Sequence, residues 1–119
     1  MIEQHFAYKF TEAWIASWNS HYLESILSHY TDDFTIESPY ALKRVPESEG
    51  MLKGKAAIKA YWQIGLEAMP DLLFVIHEVL IGINSITLYY SNEATGKKTA
   101  EVMFFNEEGK VTKVFAHYN

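Results

Sequence analysis

One acidic side chain lies within an apolar segment near the end of the chain. Glu101 stands in the run Lys98–Phe105, with apolar residues on both sides. Because burial disfavours a charged carboxylate, such a Glu has a raised pKa and can act as a base or as a neutral donor. If Glu101 faces a pocket, alternation places Met103 and Phe105 on the same side. The alternative is that Glu101 lies near a rim and pairs with a lysine.

A second ionisable side chain, His77, lies in the apolar run Leu73–Ile81. A polar ring in such a segment needs hydrogen-bond partners. His77 could be an acid–base group beside Glu101. More often such a histidine is structural, either bonded in the core or exposed at an interface.

Aromatic side chains supply candidate walls for a pocket. Trp14 and Trp18 are four residues apart near the N-terminus, and Tyr61 and Trp62 lie together farther on. Stripes of this kind usually form a core, yet buried indole N–H and phenol O–H groups need partners. If several of these groups meet in one cavity, they suit a flat or hydrophobic ligand. Weaker candidates for the rim are Tyr30, Tyr40, Tyr90 and Met51.

Periodicity predicts the elements that position these side chains. Apolar residues at steps of three and four predict helices over 2–19, 20–30 and 54–69. A short strand, 34–38, lies between the second and third helices, and 40–53 is predicted to be a loop that serves as a lid or flap. Four longer strands joined by short turns follow from Leu72 to Tyr118, which implies antiparallel pairing. We therefore expect one α+β domain over 1–119, with three helices packed on a strongly curved, mostly antiparallel sheet.

Composition excludes several classes of function. The net charge of −5 disfavours a nucleic-acid partner, and no apolar run approaches the length of a membrane span. With no cysteine, no metal-binding histidine spacing and no nucleotide-binding motif, neither a metal nor a cofactor is expected. The N-terminus has an acid where a secretory signal would be basic, so we expect a cytoplasmic protein.

The predicted strands are apolar on both faces, so the sheet needs a cover on each side. The side chains that cannot all point into one core are Val75, Val79, Tyr89, Phe104 and Phe115. Helices cover one face, and a second copy of the chain is the simplest cover for the other. We therefore predict a homodimer that forms through the sheet.

Three segments resemble the SnoaL-like proteins of the nuclear transport factor 2-like superfamily. The stretch Ile15–Pro39, with Trp18-Asn19 at its centre, resembles their opening. Gly54–Trp62 resembles their third helix, and Gly109–Tyr118 resembles their last strand. The resemblance implies a cone-shaped sheet wrapped on helices and usually dimeric. It leaves the reaction open, because the superfamily contains isomerases, cyclases, hydrolases, dehydratases and non-catalytic members.

The resemblance also assigns expectations to single positions. Where ketosteroid isomerases of the superfamily have a carboxylate base, before the proline that ends the first strand, this chain has Ser38. Their helix-one tyrosine donor matches Trp14, and their protonated acid matches Glu101. A serine hydroxyl takes no proton near neutral pH without a base of its own, so isomerisation by that route is not expected. In the last strand, the resemblance favours Tyr118 inside the pocket and His117 outside.

Two hypotheses follow. The first is a cofactor-independent enzyme for a small hydrophobic molecule, with Glu101 and His77 as catalytic residues. The second is a non-catalytic module that binds a ligand or a partner in the same cone. The residues expected to bind the ligand are Trp14, Trp18, Ser38, Tyr40, Tyr61, Trp62, Tyr90, Met103 and Tyr118.

Overall fold

A computed structural model describes the whole chain, Met1–Asn119. Four α-helices are present: α1 Gln4–Ser20, α2 Leu23–Leu27, α3 Pro39–Arg44 and α4 Lys55–Ala68. Six strands accompany them: β1 Tyr30–Glu37, β2 Met51–Lys53, β3 Phe74–Ile81, β4 Ser85–Asn92, β5 Lys97–Phe105 and β6 Val111–Tyr118. No helix is long and apolar enough to cross a lipid bilayer.

All six strands belong to one sheet, in the order β2-β1-β6-β5-β4-β3. Every pairing is antiparallel except that of β1 with β6, which is parallel. The parallel pair places the strand from the first half of the chain beside the last strand. The predicted α+β class with a mostly antiparallel sheet is confirmed.

Helix α1 packs on the inner face of this sheet through a stripe that repeats every three or four residues. Its buried side chains include Phe10, Trp14 and Trp18, and burying large rings of this kind stabilises the fold strongly. The helix ends at His21, whose φ of 63° is left-handed and whose N–H bonds the carbonyl of Trp18.

Alternation along β4 and β5 sends one set of side chains inward. Leu88 and Tyr90 on β4 are buried, as are Thr99 and Met103 on β5. Glu101 lies between the last two and therefore also points inward. The strand register thus places one carboxyl group, that of Glu101, on the apolar inner face of the sheet.

Two sequence-based boundaries were wrong. Residues 40–53 are an ordered segment, with helix α3, a 3-10 turn at Pro46–Ser48 and strand β2 in place of a loop. The elements are too short for periodicity to reveal, so the helices number four and not three. Tyr30 starts β1 instead of ending the second helix, because it pairs with Val111 of β6.

Candidate functional site

A cavity of about 240 Å³ opens between α3, α4 and the inner face of the sheet. Of its 22 lining residues, 14 are hydrophobic, so the walls are mainly apolar with a few polar groups. The predicted site residues that line it are Trp18, Ser38, Tyr40, Tyr61, Trp62, Tyr90, Glu101 and Tyr118. A concave apolar site with few polar groups is typical of small-molecule pockets.

Glu101 is the only acidic side chain of the lining. The Tyr90 hydroxyl donates a hydrogen bond of 3.0 Å to its Oε1. Burial raises the pKa of Glu101 to about 7, and the bond from Tyr90 opposes this rise only in part. Near neutral pH the carboxyl group is therefore present in both forms, as an acid–base group requires.

Tyr30 presents a second polar group to the cavity. Trp14 Nε1–H donates a 2.8 Å hydrogen bond to its hydroxyl oxygen. Burial, together with the charge of Glu101, raises the pKa of Tyr30 and keeps the phenol protonated. The hydroxyl hydrogen has no protein acceptor, so a bound ligand can accept it. Because its oxygen accepts a bond from Trp14, the hydroxyl is also a better donor.

Trp18 has a polar atom without a bonded partner. Its Nε1 is buried and makes no hydrogen bond in the structure. The indole lies beside the Tyr30 hydroxyl, and it acts to lower the pKa of that group, against the larger effect of burial, which raises it. Since buried donors are normally paired, this N–H is a second donor at the cavity wall.

Another side of the cavity carries three hydroxyl groups, which belong to Ser38, Tyr61 and Tyr118. The Ser38 hydroxyl accepts a 3.1 Å bond from the Tyr40 N–H and so caps α3. Burial raises the pKa of Tyr61 and Tyr118, and Ser38 counters part of that rise in both. The rings of Tyr40 and Tyr118 lie 4.2 Å apart. Ser38 is thus a helix cap at the rim of the cavity.

His77 does not reach Glu101. It lies on the outer face of the sheet, exposed, with Nε2 2.8 Å from the Ser91 hydroxyl and its ring 5.4 Å from that of Tyr89. The pairing of β3 with β4 is irregular between Ile76 and Glu78. This bulge reverses the alternation along β3, and the predicted Glu101–His77 pair is not formed.

Two further predicted residues lie behind the cavity and do not line it. Trp14 is 1% exposed and Met103 is 0% exposed, and both belong to the core. They are positioned one layer deeper, because α1 and the sheet meet there. Trp14 still acts on the cavity through its bond to Tyr30.

Two cationic residues of the lining, Arg44 and Lys97, were not predicted from the sequence. Arg44 lies in the segment 40–53 that was predicted to be a loop, and Lys97 lies just before the run Lys98–Phe105. The one sequence feature that could have pointed to Arg44 is Gly65, a glycine in the middle of α4 that leaves space beside the helix. A Cβ there would lie 3.1 Å from the Arg44 guanidinium.

No group of three or more His, Asp or Glu side chains is arranged to hold a metal ion. The polar groups of the lining include the carboxyl group of Glu101, several hydroxyl and indole groups, and the cationic side chains of Arg44 and Lys97. This set can exchange a proton and donate hydrogen bonds to a ligand oxygen.

The fold is one that other solved structures share. A protein of unknown function with a cystatin-like fold from Methylobium petroleophilum has a TM-score of 0.77, with 14% identity over 98% of this chain and 78% of that chain. A nuclear transport factor 2-like protein of unknown function from Cytophaga hutchinsonii has a TM-score of 0.69, with 16% identity over 100% and 95% of the two chains.

The chain belongs to the SnoaL-like domain family, whose profile matches residues 11–116. A SnoaL-like protein of unknown function from Burkholderia thailandensis is 40% identical over 99% of this chain and 98% of that chain, with a TM-score of 0.95. A comparison with curated proteins gives no match. The predicted family membership is confirmed.

Proposed function

We propose that the protein is a cofactor-independent enzyme that uses Glu101 to move a proton on a small hydrophobic molecule bound in the cavity. The observation that carries this proposal is the single inward carboxyl group, whose pKa of about 7 lies near neutral pH. General acid–base catalysis is most efficient when the two values match.

The polar groups of the cavity suit proton transfer at a carbon next to a carbonyl group. As a carboxylate, Glu101 takes the proton from that carbon, and negative charge develops on the carbonyl oxygen. The Tyr30 hydroxyl, whose oxygen is already bonded by Trp14, donates to that oxygen and stabilises the charge. Protonated Glu101 then returns the proton to the same carbon or to another one, which completes an exchange or an isomerisation.

The runner-up is a binding module without turnover. Ser38 favours it, because its hydroxyl is bonded by the Tyr40 N–H and caps a helix. The cavity therefore offers one acid–base group and no second carboxylate. Such a site would hold the same ligands through its aromatic walls and donors.

Deuterium exchange tests the proposal without knowledge of the natural substrate. Small cyclic ketones are incubated with the protein in D2O, and loss of the α-proton signal is followed by NMR. We expect wild-type protein to accelerate exchange, and Glu101→Gln to lower the acceleration by at least about 100-fold, which is typical for loss of a general base.

The matched control is Glu107→Gln, because Glu107 is exposed in the β5–β6 turn and the charge change is the same. It should exchange like wild type. Ketones that bind the cavity, seen as shifts of the tryptophan indole signals, but exchange no faster than in buffer would support the binding module. Equal exchange by Glu101→Gln and wild type would contradict the role of Glu101.

A further inference from the structure

Two cations stand at the cavity without acidic partners. Arg44 at the end of α3 and Lys97 at the start of β5 belong to the lining. The two ion pairs of the protein lie elsewhere and involve neither of them. Of the ten basic residues, only Lys55 and Lys59 form ion pairs, so what sets Arg44 and Lys97 apart is their place in the cavity lining, where they are the only cationic residues. Both side chains are exposed, so they lie where the cavity meets solvent, which we call the mouth.

The position of Arg44 is set by its neighbours. Its guanidinium carbon lies 6.0 Å from the centre of the Tyr40 ring, a distance at which a cation is attracted to an aromatic face. On the other side, a Cβ on Gly65 would lie 3.1 Å from its Nη1. Gly65 lies inside α4, where glycine costs about 1 kcal/mol relative to alanine. That unfavourable residue leaves room for the guanidinium against the helix.

The position of Lys97 follows from the strand. Lys97 and Glu101 lie on the same face of β5, with Thr99 between them, and all three line the cavity. Four residues of a strand span about 13 Å. Positive charge therefore lies at the mouth, and the single carboxyl group lies about 13 Å farther along the strand, a distance that a small molecule can span.

We propose that the natural ligand is a compact ring compound that carries an anionic group, such as a carboxylate, which Arg44 and Lys97 hold at the mouth while the rings fill the aromatic cavity. This deepens the proposed function, because it rests on the same cavity and assigns the chemical class of its ligand. Arg44 offers paired N–H donors that match a carboxylate, and Lys97 adds a point charge. The two unpaired cations thereby acquire a partner when the ligand binds.

A pair of isosteric probes tests the charge requirement. 2-Naphthylacetic acid and 2-naphthylacetamide share rings and shape but differ in charge at neutral pH. Binding is measured by titration calorimetry, and the indole signals of Trp18 and Trp62 report whether a probe occupies the cavity. We expect the acid to bind wild-type protein about tenfold more tightly, as two partly solvated cations allow. The preference should shrink as salt is added, because exposed charges are screened.

Neighbouring lysines provide matched controls. Arg44→Ala and Lys97→Ala should each reduce the preference for the acid several-fold and leave binding of the amide within about twofold, since the rings contact other residues. Lys43→Ala and Lys98→Ala remove the same charge at exposed adjacent positions outside the lining and should keep the preference.

Each result bears on one proposal separately. Equal binding of acid and amide to wild type, or no binding of either, overturns the anionic ligand. A preference lost equally in the control variants also overturns it, because net charge alone would then explain the effect. The proposed catalysis fails independently, through unchanged deuterium exchange in Glu101→Gln.

Discussion

At the level of the single residue, the buried carboxyl group of Glu101 lowers the stability of the fold. Its pKa is about 7 in the folded protein and near 4.5 in an unfolded chain. Between these values the folded protein keeps a proton that the unfolded chain has released, so the free energy of unfolding falls as pH rises through this window. Above pH 7 the loss is complete and amounts to about 3 kcal/mol. Glu101→Gln should therefore be the more stable protein at high pH and gain little near pH 4.5.

Urea unfolding of both proteins across this range measures the difference. When the unfolding free energies of the two proteins are compared, the contributions of other titrating groups cancel. One such group is His29, whose pKa is lowered mainly by burial. The unfolded chain binds a proton at that residue first, so His29 makes both proteins less stable as pH falls below 6.5. Exposed Glu107→Gln should show no pH-dependent gain. A stability difference between wild type and Glu101→Gln that does not change with pH would contradict the raised pKa.

The Tyr30 hydroxyl gives a second prediction at this scale. Tyr30→Phe removes the hydroxyl that Trp14 bonds and should slow ketone exchange in D2O by about 100-fold, as loss of one donor to a developing oxyanion does. The pKa of Glu101, read from its pH–rate profile, should stay near 7. Exposed Tyr8→Phe on α1 is the matched control. An exchange rate unchanged by Tyr30→Phe would show that the hydroxyl does not contact the reacting oxygen.

At the level of the element, the short helix α3 decides the shape of the mouth. Ser38 caps it and Pro39 occupies its first turn, and its length carries Tyr40 and Arg44 to the rim. Ser38→Ala should lower stability by about 1 kcal/mol, speed amide hydrogen exchange over residues 39–44 and weaken the preference for an anionic probe. Ser38→Thr keeps the cap and should restore the exchange rates.

Ser28→Ala serves as a control, because Ser28 is exposed and its hydroxyl bonds only the backbone carbonyl of Ser25. If Ser38→Ala leaves hydrogen exchange over α3 unchanged, the cap does not hold the mouth. The ring contact between Tyr40 and Tyr118 would then be the interaction that holds the mouth in place.

Elements also decide how much of the site the sequence could predict. The alternation of side chains along a strand was enough to predict that Glu101 faces inward, because β5 pairs with β4 in continuous register from Lys97 to Phe104. It failed for His77, because a bulge changes the face on which residues of β3 lie, and a bulge leaves no periodic signal. Helix α3 was missed because six residues are too few for a helical period. Its serine–proline start was nevertheless a readable cap signal.

At the level of the whole molecule, the outer face of the sheet lacks a cover within this chain. Phe104 and Phe115 pack edge to face there at 5.8 Å, and Lys113 Nζ lies 5.3 Å from the first ring. Val75 on the same sheet is 38% exposed. Val79, in contrast, packs against the inner core, so the outer apolar surface is smaller than the sequence suggested but continuous across β5 and β6.

We expect a second copy of the chain to cover this face in solution. Wild-type protein should run as a dimer by size exclusion with light scattering at micromolar concentration, because apolar faces of packed sheets associate strongly. Phe115→Glu places a charge in the expected interface and should give a folded monomer, with circular dichroism as the check on folding. Ile83→Glu introduces the same charge at a residue that is 76% exposed in the β3–β4 turn and should remain dimeric. A wild-type monomer, or a dimer that survives Phe115→Glu, would exclude association through this face, and the aromatic pair would then be a local packing feature of β5 and β6.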